Sequence, residues 1–135
     1  MTDTDRGVAI VVWRQAPRIE VLLLHRAIFG ADFEGDWAWT SPGGALHDDE
    51  SPESAALREL REETGLQLVC TAVDAAIEPG FDVSVFVAEA ELDDDVALSD
   101  EHDRCEWVGV DDVGRCLPAW VAEMYRGVLA HVSVS

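Results

Sequence analysis

Apolar residues form two short runs near the start of the chain. Residues 7–14 (GVAIVVWR) and residues 19–25 (IEVLLLH) are rich in β-branched residues and leucine, and residues 15–18 (QAPR) separate them. Apolar runs of this length, bounded by a proline-containing turn, are typical of buried strands. The pattern therefore predicts a hairpin of two buried strands.

A loop and a further short strand are predicted after the hairpin. Residues 27–36 contain glycine and aspartate and predict a loop, whereas residues 37–40 (WAWT) predict a strand. Because side chains alternate along a strand, Trp37 and Trp39 would lie on the same face. Residues 41–44 (SPGG) then predict a turn.

The clearest helix signal lies between Ser51 and Gly65. Ser51 is a favourable N-cap, Pro52 suits the first helical position, and Gly65 is a favourable C-terminal stop. We therefore predict a helix over residues 52–64.

The second half of the chain predicts three strands and one helix. Residues 67–76 and 81–90 predict a pair of strands around a turn at residues 78–80. Residues 105–110 predict another short strand, and the apolar spacing within residues 118–132 predicts an amphipathic helix. Strands interspersed with helices, without strict alternation, indicate an α+β fold or an α/β/α sandwich, with a mixed sheet flanked by helices.

Length and charge limit the classes of function. A chain of 135 residues has the length of one ordinary domain, so we predict a single domain over residues 1–135. The net charge is −19, from 28 acidic residues against nine arginines and no lysine. Such a surface repels nucleic-acid polymers and anionic membranes, so neither is an expected partner. Because 48% of the residues are hydrophobic, the chain can still bury a core.

Much of the acidic charge lies in two segments. Residues 44–66 contain seven acids and residues 91–112 contain ten. A solvated surface is the simplest interpretation of the second segment. The spacing within the first segment suggests a more specific role.

The cysteines predict a reducing environment. Cys70, Cys105 and Cys116 are far apart, odd in number and without paired spacing. The polar, acidic start does not resemble a secretory leader, and no apolar run approaches the roughly 20 residues of a membrane span. We therefore expect a cytoplasmic protein with reduced thiols.

The predicted helix carries a cluster of carboxylates. At 100° per residue, Glu59, Glu62 and Glu63 share one face with Arg58, opposite the face that Leu60 and its neighbours would pack. Carboxylates this close repel each other unless a cation offsets their charge. Oxygen ligands without histidine or cysteine nearby favour Mg²⁺ or Mn²⁺. The alternative is an exposed glutamate-rich face, although neither Glu59 nor Glu63 has a base four residues later.

The wider segment resembles the Nudix box of the MutT-like Nudix hydrolases. Gly44 is followed after five residues by Glu50 and, after seven more, by residues 58–66 (RELREETGL). The resemblance implies an α/β/α sandwich and a Mg²⁺-dependent pyrophosphohydrolase, with Mn²⁺ as an alternative metal. The implied substrate is a nucleoside diphosphate linked to a further group. The implied metal-binding residues are Gly43, through its carbonyl, and Glu50, Glu59, Glu62 and Glu63, with Arg58 orienting the carboxylates.

A second resemblance adds a residue outside the box. Residues 99–108 (SDEHDRCEWV) look like a pattern in family members that act on dinucleoside polyphosphates and related triphosphates. It implies that Glu101 is a further metal ligand or the general base, beside Arg58, Glu59 and Glu62 as candidate catalytic residues. Arg26 is a candidate phosphate contact. Trp37 and Trp39 are candidates for stacking on a base, with core packing as the alternative.

Several alternatives remain open at this stage. The substrate is a nucleoside triphosphate, a dinucleoside polyphosphate or a nucleotide sugar, and the chain is a monomer or a homodimer. The identity of the base and the number of metal ions also remain open. A non-catalytic nucleotide sensor with the same fold is the main competing hypothesis, although the intact box favours an enzyme.

Overall fold

A computed structural model describes residues 6–15, 17–30, 32–35, 38–73 and 83–132. The strands and helices are β1 (Gly7–Gln15), β2 (Ile19–Arg26), β3 (Trp39–Thr40), β4 (Gly43–Ala45), α1 (Pro52–Thr64), β5 (Thr71–Val73), β6 (Val83–Glu89), β7 (His102–Gly109) and α2 (Ala119–Val132), with 3₁₀ turns at Ala27–Phe29 and Val110–Arg115. Trp37 and the predicted turn at residues 78–80 lie outside the described residues.

The strands of the described residues form one mixed sheet. Its main order is β3-β2-β1-β6-β5, with β4 paired to β1 and β7 paired to β2. β1 and β2 are antiparallel, which confirms the predicted hairpin, while β1 and β6 are parallel. Since β1 contributes to the cores on both faces, its sequence is an almost continuous apolar run.

One helix covers each face of this sheet. On one face, Ala55, Ala56 and Leu60 of α1 pack against buried residues of β1, β2 and β6. On the other face, Val121, Tyr125 and Leu129 belong to the core that α2 shares with the sheet. The structure therefore confirms the predicted sheet flanked by helices.

The ends of α1 agree with the prediction. The Ser51 hydroxyl accepts a hydrogen bond from the Ser54 backbone N–H at 3.2 Å, and Pro52 occupies the first turn. Gly65 adopts a left-handed conformation with φ of 75°, and its N–H donates to the Arg61 carbonyl at 2.9 Å. These local contacts fix the helix within the segment that carries the glutamates.

The predicted turn at residues 41–44 is wrong, because Gly43 and Gly44 belong to strand β4. This strand pairs with the start of β1, with Gly43 opposite Ala9 and Gly44 opposite Val8. A Cβ atom at position 43 would overlap the Val8 carbonyl oxygen. Glycine is therefore needed here for close backbone approach, whereas its sequence signal resembled that of a turn.

Two other strands have different limits from those predicted. Within the described part of residues 67–76, only Thr71–Val73 forms a strand; Leu68 and Cys70 instead pack against the core under α1. β7 begins at His102, three residues before the predicted start, because its polar first residues pair with the end of β2. In the part of the chain that the structure describes, no helix combines the length and apolar character needed to cross a membrane.

Candidate active site

The acidic face of α1 packs against the protein. Glu59 is 9% exposed and Glu63 is 4% exposed, whereas Leu57 is 50% exposed. The prediction that the carboxylates lie opposite the packed face is therefore wrong for this pair. Hydrophobicity alone predicted that the carboxylate face of α1 would be exposed, but this face contacts β4, where two glycines leave space.

Strand β4 accommodates both buried carboxylates. The Gly43 N–H donates a hydrogen bond to Oε1 of Glu63 at 3.0 Å. A Cβ atom on Gly44 would overlap the carboxylate of Glu59. Backbone groups of β4 and carboxylates of α1 therefore meet directly, with Gly43 in contact through its N–H.

Arg58 holds three carboxylates around its guanidinium. Its Nε and Nη2 donate to the two oxygens of Glu50 at 2.7 and 2.9 Å, and its Nη1 donates to Glu62 at 3.1 Å. The same Nη1 lies 3.4 Å from Oε2 of Glu59. A further bond, from Nη2 to the Ala45 carbonyl at 3.1 Å, connects Arg58 to β4. The structure thus gives Arg58 the contacts expected of a residue that orients carboxylates.

Glu50 and Glu62 have different environments from the buried pair. The hydrogen bonds from Arg58, followed by the bond from the His47 N–H, lower the pKa of Glu50 to about 2. The bond with Glu50 in turn raises the pKa of Arg58. Both Glu50 oxygens accept hydrogen bonds from Arg58, so a metal ion bound by Glu50 would share these oxygens with Arg58. The Glu62 side chain is 52% exposed, and Arg58 contacts one of its two carboxylate oxygens.

Of the two buried carboxylates, Glu59 lies beside Arg58, whereas among the described residues Glu63 forms no ion pair with a cationic side chain. Burial raises the pKa of Glu63, and the negative charges of Glu59 and Glu101 raise it further, against the bond from Gly43. Burial also raises the pKa of Glu59, opposed by the charge of Arg58. The Glu101 carboxylate lies within hydrogen-bonding reach of Glu63. The structure therefore brings Glu101 to the helix carboxylates, although 38 residues separate it from Glu63 in the sequence.

The donor set suits a hard divalent cation. Carboxylate oxygens and a backbone carbonyl are the ligands that Mg²⁺ prefers, and a cation would offset the repulsion within the cluster. Among the described residues, no three His, Cys, Asp or Glu side chains already form a complete metal-binding group. Magnesium usually retains several water ligands, so a partial set of protein oxygens is compatible with it.

Arg26 and His102 lie next to each other at the edge of this cluster. They are directly opposite in the pairing of β2 with β7. Nε of Arg26 and Nδ1 of His102 are both buried, and neither has a hydrogen-bond partner in the described part of the chain. Burial lowers the pKa of His102. A half-buried guanidinium with an unused N–H is compatible with the predicted phosphate contact.

Trp39 is packed in the core. It is 4% exposed, and its Nε1 donates to Glu34 at 2.9 Å. The ring also lines a cavity of about 160 Å³ between the sheet and α2, together with Trp120, Met124 and Tyr125. The structure therefore supports the packing alternative for Trp39, and the part of the ring that lines the cavity faces an apolar space.

Three features of the site were not predicted from sequence. In the sequence, Gly44 resembled part of a turn, whereas in the structure it makes room for Glu59. The hydrogen bond of buried Tyr125 with Ser41 joins elements that are distant in sequence. His25 is fully buried and bonded at both ring nitrogens. Its position as a polar residue ending an apolar strand was the only local signal.

Comparisons with known proteins agree with this architecture. The sequence model of the NUDIX domain matches residues 3–132. A Caenorhabditis elegans Ap4A hydrolase structure superimposes with a TM-score of 0.78, covering 96% of this chain and 98% of that chain. Since their sequences are 23% identical, this likeness shows the fold alone.

Curated relatives match over part of their length. An octanoyltransferase from Myxococcus xanthus is 35% identical over 123 residues, covering 84% of this chain and 33% of that protein. An 8-oxo-dGTP diphosphatase from Proteus vulgaris is 54% identical over 37 residues, which is 27% of this chain and 33% of that protein. The chain thus spans about one third of the length of these relatives.

Proposed function

The chain belongs to the NUDIX domain family, and from this premise we propose that it is a Mg²⁺-dependent pyrophosphohydrolase acting on a nucleoside diphosphate derivative. Mn²⁺ is the alternative metal. The name of the Proteus vulgaris relative, a diphosphatase, supports the reaction class. The name octanoyltransferase belongs to a whole protein of which this chain matches one third.

One observation carries the proposal: two buried carboxylates, Glu59 and Glu63, lie against the backbone of Gly43 and Gly44, and among the described residues Arg58 forms an ion pair with Glu59 but no cationic side chain pairs with Glu63. Burying two neighbouring carboxylates beside a single guanidinium is unfavourable unless a further cation offsets their charge. The arrangement supports a role in which a cation and an anionic substrate complete the site.

We assign metal binding to Glu59, Glu62, Glu63 and the Gly43 carbonyl, with Glu50 as an auxiliary ligand. When bound, divalent cations polarise phosphoryl oxygens and lower the pKa of coordinated water. Arg58 positions these carboxylates through its contacts with Glu50, Glu59 and Glu62.

Glu101 is our choice for the group that accepts the proton of the attacking water. It does not belong to the helix, it is exposed, and it reaches the Glu63 carboxylate. The water oxygen forms a new bond to phosphorus while the bridging P–O bond breaks, and the leaving phosphate takes the electron pair. Arg26 is proposed to contact a substrate phosphate.

The substrate remains one of three classes: a nucleoside triphosphate, a dinucleoside polyphosphate or a nucleotide sugar. The cavity bordered by Trp39, Trp120, Met124 and Tyr125 offers an apolar surface for a base. Trp37 stays a candidate for the same role.

The test is a panel of these nucleotides incubated with Mg²⁺, with products separated by chromatography. We expect one class to be cleaved, and Glu62→Gln or Glu63→Gln to reduce turnover on the order of 100-fold or more. The matched control is Glu53→Gln, which neutralises an exposed carboxylate in the first turn of the same helix. Circular dichroism checks that each variant is folded.

Two outcomes would contradict the proposal. Near-normal turnover of both Glu62→Gln and Glu63→Gln in saturating Mg²⁺ would exclude the assigned site. Tight Mg²⁺-dependent nucleotide binding without any cleavage would instead favour a sensor.

The wider assignments are proposals of the same kind. We propose a single domain over residues 1–135, a small-molecule nucleotide as partner, and a monomer or homodimer without nucleic-acid polymer or membrane partners. Three unpaired cysteines among the described residues support a reducing, cytoplasmic environment.

A further inference from the structure

His25 is a buried histidine whose two ring nitrogens both face acceptors. It is 0% exposed. Nε2 lies 2.6 Å from the Phe33 carbonyl oxygen, which can only accept a hydrogen bond. Nδ1 lies 2.9 Å from Oδ1 of Asp103. The ring therefore bridges Asp103 and the Phe33 carbonyl, which lie on different segments of the chain.

Charged side chains of both signs surround His25. Asp103 on β7 and Glu34 on the loop after β2 are its acidic neighbours, with Oε2 of Glu34 lying 3.8 Å from Nε2. Arg104 lies 3.5 Å from Nδ1, but it also contacts Glu34 at 2.6 Å and Asp103 at 3.4 Å. His102 is a further titratable neighbour of His25. Two carboxylates and one guanidinium thus surround the His25 ring.

Asp103 is the extra residue of an irregularity in the sheet. Along β2 and β7 the pairing is regular up to His25 opposite Arg104, and the next pair is Arg26 opposite His102. Asp103 is therefore bypassed as in a β-bulge, and its carboxylate bonds to His25. Bulges are frequent beside active sites, where they redirect the strand.

The bulge determines which residue faces Ala27. The Ala27 N–H donates to the Glu101 carbonyl at 3.0 Å. With regular pairing continued past His25, Asp103 would lie opposite Arg26 and His102 would lie opposite Ala27 instead. Glu101 would then be displaced by one strand residue, about 3.3 Å, relative to Glu63. A displacement of that size would remove the contact between the two carboxylates.

We propose that His25 is a positioning residue, which, through its contacts with Asp103 and the Phe33 carbonyl, maintains the bulge that fixes Glu101 beside the carboxylates of α1. The proposal rests on the assignment of Glu101 to the active site above. His25 itself does not touch the reacting atoms, since it is buried on the face of the sheet that carries Trp39.

The first test measures amide exchange by NMR in the full chain. His25→Gln lacks the ring that bridges Asp103 and the Phe33 carbonyl. Asp103→Ala removes the carboxylate from a less buried position. We expect the Ala27 amide to exchange at least about tenfold faster in both variants, with amides of β1 and β6 unchanged. The control is Glu20→Gln, which breaks the part-buried Arg14 pair at the other end of β2. Equal Ala27 exchange in all three variants would overturn the proposal.

The second test separates positioning from general damage. Displacing a catalytic group by about 1 Å or more can reduce the rate on the order of 100-fold. We therefore expect kcat of Asp103→Ala to fall by about that factor while KM changes little, with Glu20→Gln near the wild-type values.

The outcomes distinguish this inference from the proposed function. If the wild type cleaves no nucleotide, the function fails, while Ala27 exchange still reports on the bulge. If Ala27 exchange rises without any change in kcat, Glu101 does not act in catalysis and the positioning role is overturned.

Discussion

The two acidic segments of this chain have similar composition and very different structures. Residues 44–66 contain the two buried carboxylates, Glu59 and Glu63, held against β4. Residues 91–112 contain more acids, and none of them is buried. The difference shows that local charge does not identify a site in this protein. What distinguishes the first segment is that two of its carboxylates are removed from water, and Arg58 forms an ion pair with only one of this buried pair.

Glu101 is the exception within the second segment, and its removal should give the largest effect. We expect Glu101→Gln to lower kcat on the order of 100-fold or more, because a neutral amide cannot accept the proton of the attacking water. Asp100→Asn, the adjacent acid, should keep near-normal kcat. Steady-state kinetics on the substrate found in the nucleotide panel measure both. Equal effects of the two substitutions would place Glu101 with the surface acids.

Binding of Mg²⁺ should stabilise the first segment. A cation that binds only the folded chain at 100 times its dissociation constant adds about 2.7 kcal/mol to the free energy of unfolding. We expect a rise in Tm with Mg²⁺ in thermal unfolding, and most of this rise should be lost in Glu59→Gln/Glu63→Gln. An identical rise in that double variant would show that Mg²⁺ binds elsewhere, for example to the acids of residues 91–112.

Gly44→Ala tests whether the close contact of β4 with α1 matters. The added Cβ would overlap the Glu59 carboxylate, and overpacking of this kind typically costs about 1–3 kcal/mol. Gly127→Ala is the matched control, since Gly127 lies on the exposed face of α2 with nothing near its Cβ position, and alanine there should stabilise the helix by about 0.5–1 kcal/mol. Urea unfolding measures both changes. Stabilisation by both substitutions would mean that Glu59 moves away at no cost.

The smallest effects are expected for the exposed acids of the second segment. Asp93→Asn and Asp95→Asn should change the free energy of unfolding by less than about 0.5 kcal/mol and leave kcat unchanged, because both side chains are exposed. Glu63→Gln measured beside them gives the contrast. A large loss of activity in Asp95→Asn would break the distinction between the two segments.

Much of the fold could be predicted because its signals are local. The ends of α1 depend on Ser51, Pro52 and Gly65, which act within one turn of the helix. The β1–β2 hairpin and α2 follow from hydrophobic periodicity over ten to fifteen residues. The limits of β5 and β7 were less accurate, since they depend on which neighbour each strand pairs with.

The candidate site was predictable as a set of residues and not as an arrangement. The spacing of Glu59, Glu62 and Glu63 with Arg58 indicated a metal-binding helix. The same spacing placed all three carboxylates opposite the packed face, which is wrong for Glu59 and Glu63, because hydrophobicity does not register the space that Gly43 and Gly44 leave. For the same reason, a glycine pair that looked like a turn proved to be a strand in contact with the helix.

The sequence by itself determined the sandwich of helices and sheet, the carboxylate helix and the family resemblance, since each is written in neighbouring residues. Only the tertiary structure decided which carboxylates are buried and where Glu101 lies. Those features depend on contacts between distant residues: Gly43 with Glu63 across 20 positions, and His25 with Asp103 across 78. Backbone approach and strand register, which no local pattern encodes, fix the geometry of the site.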